Sequence, residues 1–158
     1  MSEPNFKLLD HFHNPRNVGI INNPDGFGRG ENPINGYLTD IYIKVENGLI
    51  KDIKFKTSGC VISVSSASAL TEAVKGKNLG AIVDGNNKAI ALIELIKEKL
   101  GDIPEKNWHC PPTAVLTLFV AIYDYYKRNG DEKKILELKK LIADIKDYFE
   151  KYKSSIGE

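Results

Sequence analysis

The feature that most constrains the fold is the dipeptide Asn47-Gly48, set between two segments that read as strands. Asparagine and glycine both tolerate positive φ, the requirement of a tight β-hairpin turn. Residues 38–45 lead into this turn and residues 49–57 leave it. In the second segment Ile53 and Phe55 alternate with Asp52, Lys54 and Lys56, the pattern of an antiparallel sheet with one buried face.

Around the hairpin the spacing is helical. Phe6, Leu8, Leu9 and Phe12 predict a short first helix, which Asn14-Pro15 closes because proline disfavours helical geometry in the residue before it. Residues 18–36 are rich in Gly, Pro, Asn and Asp and read as loop. Ser58-Gly59-Cys60 turns the chain into a helix over 61–75, and Asn78 caps a further helical segment. Asp84-Gly85-Asn86-Asn87 breaks that segment before an amphipathic helix over 88–100. Pro111-Pro112 opens a helix over 111–128, in the first turn where proline is tolerated.

The tail, 131–153, sets Ile135, Leu138, Leu141, Ile142, Ile145 and Phe149 on one helical face, read as packing on its own domain rather than as a partner-binding arm. The order of elements predicts an α+β fold, a small antiparallel sheet packed against helices, with an added C-terminal helix. Residues 1–130 form the body, and 131–158 are an amphipathic extension of the same domain.

Charge and hydropathy narrow the class. A net charge of +1 gives no global attraction to nucleic acid or to an anionic membrane. No apolar run approaches the roughly 20 residues that span a bilayer, and Met1-Ser2-Glu3-Pro4-Asn5 lacks a signal-peptide pattern. The expectation is a cytoplasmic protein.

Chemistry centres on the two cysteines. Cys60 and Cys110 are far apart in sequence and are not expected to pair in a structural disulfide in a reducing cytosol. Each is expected just before a helix N-terminus, where peptide dipoles favour thiolate. His109 directly precedes Cys110, so an imidazole and up to two thiolates are on offer, soft ligands for iron, zinc or copper(I). Three groups are one short of a closed tetrahedral site. Two buried thiols beside a surface histidine remain the plain alternative. A nucleophilic pair is the rival: Cys110 with His109 is poor because adjacent residues rarely align, while Cys60 with His109 stays open.

Other motifs carry less. His11 and His13 lie on the first helix and read as surface residues. Gly26, Gly28 and Gly30 neither follow a predicted strand nor open a helix, so they make no phosphate cradle. Serines 63, 65, 66 and 68 are read as close-packing residues of a helix.

Several of these segments together resemble one family. Asp10-His11-Phe12-His13-Asn14-Pro15-Arg16-Asn17-Val18-Gly19 is similar to the N-terminal signature of IscU/NifU-like scaffolds. Lys56-Thr57-Ser58-Gly59-Cys60 resembles their second cysteine motif, and His109-Cys110 their third. The family's Ala-Pro-Xaa-Cys-Gly-Asp segment is matched by Asn32-Pro33-Ile34-Asn35-Gly36-Tyr37, with Asn35 at the cysteine position and Tyr37 at the aspartate position. The resemblance spans about residues 5 to 128, and the helix after Gly130 is an addition to it.

The resemblance implies a SufE/NifU-like fold and a non-enzymatic platform on which iron and sulfide assemble. Its cofactor is iron or a [2Fe–2S] cluster, with zinc as the alternative. Its partners are a cysteine desulfurase, which supplies sulfur as persulfide, and cluster-acceptor proteins; an oligomer is compatible with it. Cys60, His109 and Cys110 carry over as ligands, Cys110 as sulfur acceptor, and Asn35 or Tyr37 stands where a fourth ligand belongs. Two other readings stay open: a degenerate relative holding mononuclear zinc or iron, and a metal-free interaction or regulatory module for the desulfurase system.

Overall fold

In the computed structural model, which describes residues 5–157, three strands form one antiparallel sheet in the order β1 (Gly26–Glu31), β2 (Leu38–Glu46), β3 (Leu49–Thr57). The reading of the N-terminus as free of a targeting pattern rests mainly on residues 1–4, which lie outside the described residues. Asn47 and Gly48 reverse the chain between β2 and β3 with φ values of 53° and 76°. On the buried face Ile41 of β2 pairs with Phe55 of β3 and Ile43 with Ile53, with Ile50 buried beside them. Ile50 and Ile53 are three residues apart yet both face inward. The register explains it: Lys44 pairs with Asp52 and Val45 with Ile50, leaving Lys51 as the extra residue of a bulge.

β1 corrects the sequence reading, which took residues 18–36 as loop. Its sequence is Gly-Phe-Gly-Arg-Gly-Glu, and the positions facing the core are the three glycines. A Cβ at Gly28 would stand 2.5 Å from both Ala121 N and Thr117 O. The strand therefore lies against helix α5 (Cys110–Arg128) backbone to backbone, a close approach that only glycine allows.

The remaining helices follow the periodicity. α1 (Phe6–His13) is capped by the Asn5 side chain, which accepts from Leu8 N. α2 (Val61–Val74) is built from small residues and is buried on several sides, with Ser65, Ser66 and Ser68 fully inaccessible as close packing requires. α3 (Leu79–Val83) starts at the Asn78 cap, and α4 (Lys88–Leu100) follows it. α6 (Glu132–Ser155) lays Leu138, Leu141, Ile145, Phe149 and Tyr152 against α5 and α4.

His11 is a second correction. It is buried on α1, with Nδ1 2.8 Å from the Ser68 hydroxyl, which also accepts from Arg16 N at 3.0 Å. Arg16 in turn pairs with Asp10 at 2.7 Å and Glu72 at 3.0 Å. Burial, and then the charge of Arg16, hold the His11 pKa below its ordinary value. His11 thus pins α1 to α2, while His13 is exposed as expected. Among the described residues no helix is long and apolar enough to cross a membrane.

Candidate functional site

Cys60 sits at the N-cap of α2, at the end of the turn that leaves β3. Its sulfur lies over the first turn, 3.9 Å from Ser63 Oγ. Partial burial pushes the thiol pKa up, but the backbone N–H groups of Ser63 and Ile62 and the Ser63 hydroxyl more than reverse this, so the net shift is downward. The thiol is exposed. This is the thiolate-favouring setting expected from the sequence.

Cys110 behaves differently, and the expectation of a dipole-favoured thiolate there does not hold. It is the first residue of α5, only 2% exposed, and burial pushes its thiol up to about 12. The two residues that follow are Pro111 and Pro112. Neither has a backbone N–H, so this helix start lacks the donors that stabilise the Cys60 sulfur. The prolines that suit the first helical turn also strip it of its anion-binding groups. In the metal-free protein Cys110 is a neutral thiol.

Ser63 joins the two cysteines. Its hydroxyl donates toward Cys110 Sγ at 3.7 Å while lying 3.9 Å from Cys60 Sγ. His109 occupies the N-cap of α5, is buried, and presents Nδ1 3.7 Å from Cys110 Sγ. The Thr113 hydroxyl donates to His109 O at 2.8 Å. The Tyr152 ring of α6 backs the imidazole, with centroids 5.7 Å apart. Cys60, Ser63, Cys110 and His109 therefore form one chain of contacts drawn from two helix N-termini.

The fourth wall is the loop between β1 and β2. Asn32, buried at its start, places Nδ2 2.7 Å from His109 Nδ1. Asn32 Oδ1 accepts from Ile34 N at 2.9 Å, Asn32 N donates to Tyr37 O at 2.9 Å, and Gly36 N donates to Asn32 O at 2.8 Å. Asn35 and Tyr37 lie on the exposed side of this turn, and the Asn35 carboxamide oxygen accepts from Tyr37 N at 3.0 Å. The structure thus brings Cys60, Cys110 and His109 together. It leaves Asn35 and Tyr37 at the loop rim, with Asn32 the loop residue that touches the imidazole.

Among the described residues no three His, Cys, Asp or Glu side chains are arranged as a ready-made metal cage. Two thiols and an imidazole in contact are nevertheless the soft donor set that iron, zinc and iron–sulfur clusters take. The same geometry disfavours nucleophilic catalysis by Cys110: a thiol with its pKa near 12 is the opposite of an activated one.

Three members of this site escaped the sequence reading. Ser63 reads in sequence as a packing residue, although its position three residues after an N-cap places it in the first turn facing that cap. Tyr152 continues the α6 stripe three residues beyond Phe149. Asn32 carried a signal in its contrast with the alanine at that position of the family segment.

Comparison with known proteins adds independent evidence. A family model described as the NifU-like N terminal domain matches residues 4–132. The chain is 43% identical over 132 residues to the iron-sulfur cluster assembly scaffold protein IscU 1 of Archaeoglobus fulgidus, covering 84% of this chain and 82% of that protein. It is 41% identical to the scaffold protein IscU of Aquifex aeolicus (81% and 79% covered) and 39% identical to that of Haemophilus influenzae (78% and 96% covered). A crystal structure of a putative iron-sulfur cluster assembly scaffold protein for the SUF system from Fervidobacterium islandicum shares the fold. Its TM-score is 0.57 at 22% identity, over 77% of this chain and 96% of that one.

Proposed function

The chain belongs to the NifU-like family, and from that premise we propose that it is a non-enzymatic scaffold or carrier for iron or a [2Fe–2S] cluster, held through Cys60, Cys110 and His109. The observation that carries this reading is the contact of two thiols and one imidazole along Ser63, with the Cys60 sulfur open to solvent. The cluster is cargo here, so an exposed thiolate beside a buried neutral thiol is a workable arrangement. Cys60 makes first contact, and Cys110 loses its proton when a metal reaches it, since a coordinating thiol is deprotonated outright.

Cys110 is the proposed sulfur acceptor once bound metal has removed its proton, its thiolate then taking the outer sulfur of the desulfurase persulfide and releasing the desulfurase cysteine as thiolate. A cysteine desulfurase and cluster-acceptor proteins are the proposed partners, in the cytoplasm. A fourth donor comes from Asn35, Tyr37, solvent or a partner. An amide or phenol is a weaker ligand than the thiolate and carboxylate of the family segment, which suits a carrier that releases its load. The same proposal treats residues 131–158 as an extension of the scaffold domain at 1–130, supported by the burial of Leu138, Leu141, Ile145 and Phe149.

Anaerobic reconstitution with iron, sulfide and a desulfurase tests the reading. Sulfur-to-iron charge-transfer absorbance is expected, lost in Cys60→Ala and Cys110→Ala, and longer-lived in Asn35→Cys, which restores a thiolate. A colourless protein, or colour indifferent to both cysteines, would refute it. Stoichiometric zinc that needs both cysteines would instead favour a mononuclear site.

A further inference from the structure

The hydrogen bonds of Asn32 determine the protonation pattern of His109. A backbone N–H can only donate, so the 2.9 Å contact from Ile34 N identifies the facing side-chain atom as Oδ1. The other side-chain atom, 2.7 Å from His109 Nδ1, is then the amide nitrogen, which can only donate. His109 Nδ1 must therefore accept, and a neutral imidazole in that position carries its proton on Nε2. Nδ1 is also the ring nitrogen on the thiol side, 3.7 Å from Cys110 Sγ.

We propose that Asn32 is a positioning residue that latches the loop 32–37 onto His109, holding the Nδ1 lone pair so that a metal gains this nitrogen only when the loop moves away. All four polar groups of Asn32 are engaged: N–H to Tyr37, C=O from Gly36, Oδ1 from Ile34 and Nδ2 to His109. Releasing the imidazole therefore disturbs the base of the turn that carries Asn35 and Tyr37. Loop position and ligand availability are thereby coupled. The metal half of this inference rests on the scaffold reading; the latch itself does not.

The test begins on metal-free protein at about pH 8.5, well above the ordinary imidazole pKa of ~6.5. Long-range ¹⁵N–¹H NMR reads the tautomers of the three histidines, and the His109 signals are identified by their loss in His109→Ala. Wild type is expected to show the Nε2–H form. Asn32→Asp keeps an acceptor for Ile34 N but offers His109 only acceptors, so it is expected to switch His109 to the Nδ1–H form. Asn32→Ala should leave a mixed population and bind cobalt(II), followed by thiolate charge transfer, about fivefold more tightly, the factor of one ordinary hydrogen bond.

An Nδ1–H form in wild type, or an unchanged tautomer in Asn32→Asp, overturns the latch. Equal cobalt affinity in wild type and Asn32→Ala overturns the gating. Should Asn32→Ala fail to fold, Asn32→Asp decides the latch, and its gating consequence is read from the rate of cobalt uptake, expected to change with the tautomer and contradicted by an unchanged rate. Cobalt bound by neither protein, with the tautomers as expected, refutes the scaffold reading and the gating together while the latch stands.

Discussion

Ser63 and Cys110 are 47 residues apart in the chain, yet the Ser63 hydroxyl donates toward the Cys110 sulfur from 3.7 Å. The same oxygen lies 3.9 Å from Cys60 Sγ. One small side chain in the first turn of α2 thus spans two thiols of opposite character, one exposed and anion-stabilised, the other buried and protonated.

That contrast predicts unequal reactivity. In native protein at pH 8, iodoacetamide should modify Cys60 first, with Cys110 slower by more than about tenfold, because the thiolate is the nucleophile and access is limited. Peptide mass spectrometry over time reads both rates. Equal rates would contradict the assigned environments.

The buried thiol also predicts a pH dependence of stability. The Cys110 pKa is raised from 9.0 to about 12 in the folded chain. Above about pH 9 the unfolded state releases this proton and the folded state keeps it, so stability falls as pH rises, by up to about 1.4 kcal/mol per pH unit. Below pH 9 the contribution is fully present. Urea unfolding should show wild type losing about 1.5 kcal/mol more than Cys110→Ala between pH 8 and pH 10; parallel losses would argue against a protonated Cys110.

The contact of β1 with α5 predicts that Gly28→Ala is destabilising despite its small size. Its Cβ would meet Ala121 N and Thr117 O, backbone atoms that cannot swing aside. A cost of about 1–3 kcal/mol is expected in chemical denaturation, as for other overpacked sites. An unchanged midpoint would mean that the strand and helix are farther apart than described.

These positions show what was legible in the sequence. The hairpin and the helices were readable because alternation and the 3.6-residue period survive in Ile53/Phe55 and in the Leu138-Leu141-Ile145-Phe149 stripe. β1 was not, because its inward side chains are missing: the helix packs so closely that the usual apolar residues are replaced by Gly26, Gly28 and Gly30. Cys60, His109 and Cys110 were legible as a soft-ligand set. The neutral state of Cys110 depends on burial and on two prolines taken together, and the role of Asn32 depends on a loop meeting a helix 77 residues away.

For the tail helix, Ile145 is fully buried against the body of the domain. Ile145→Ala should cost about 2–4 kcal/mol, as large-to-small core substitutions do. A partner-binding arm hanging from the surface would instead tolerate the change within about 0.5 kcal/mol. Equilibrium unfolding distinguishes the two.

The central claim is that Cys60, Cys110 and His109 hold iron–sulfur cargo, and it is tested most directly by counting that cargo. Iron and acid-labile sulfide should be measured on protein purified anaerobically from its own host, beside Cys60→Ala, Cys110→Ala and His109→Ala prepared in parallel. The account predicts iron and sulfide in equal amounts in wild type, and little of either in the two cysteine variants. Wild-type protein with neither element, or with amounts unchanged by losing either cysteine, would contradict it.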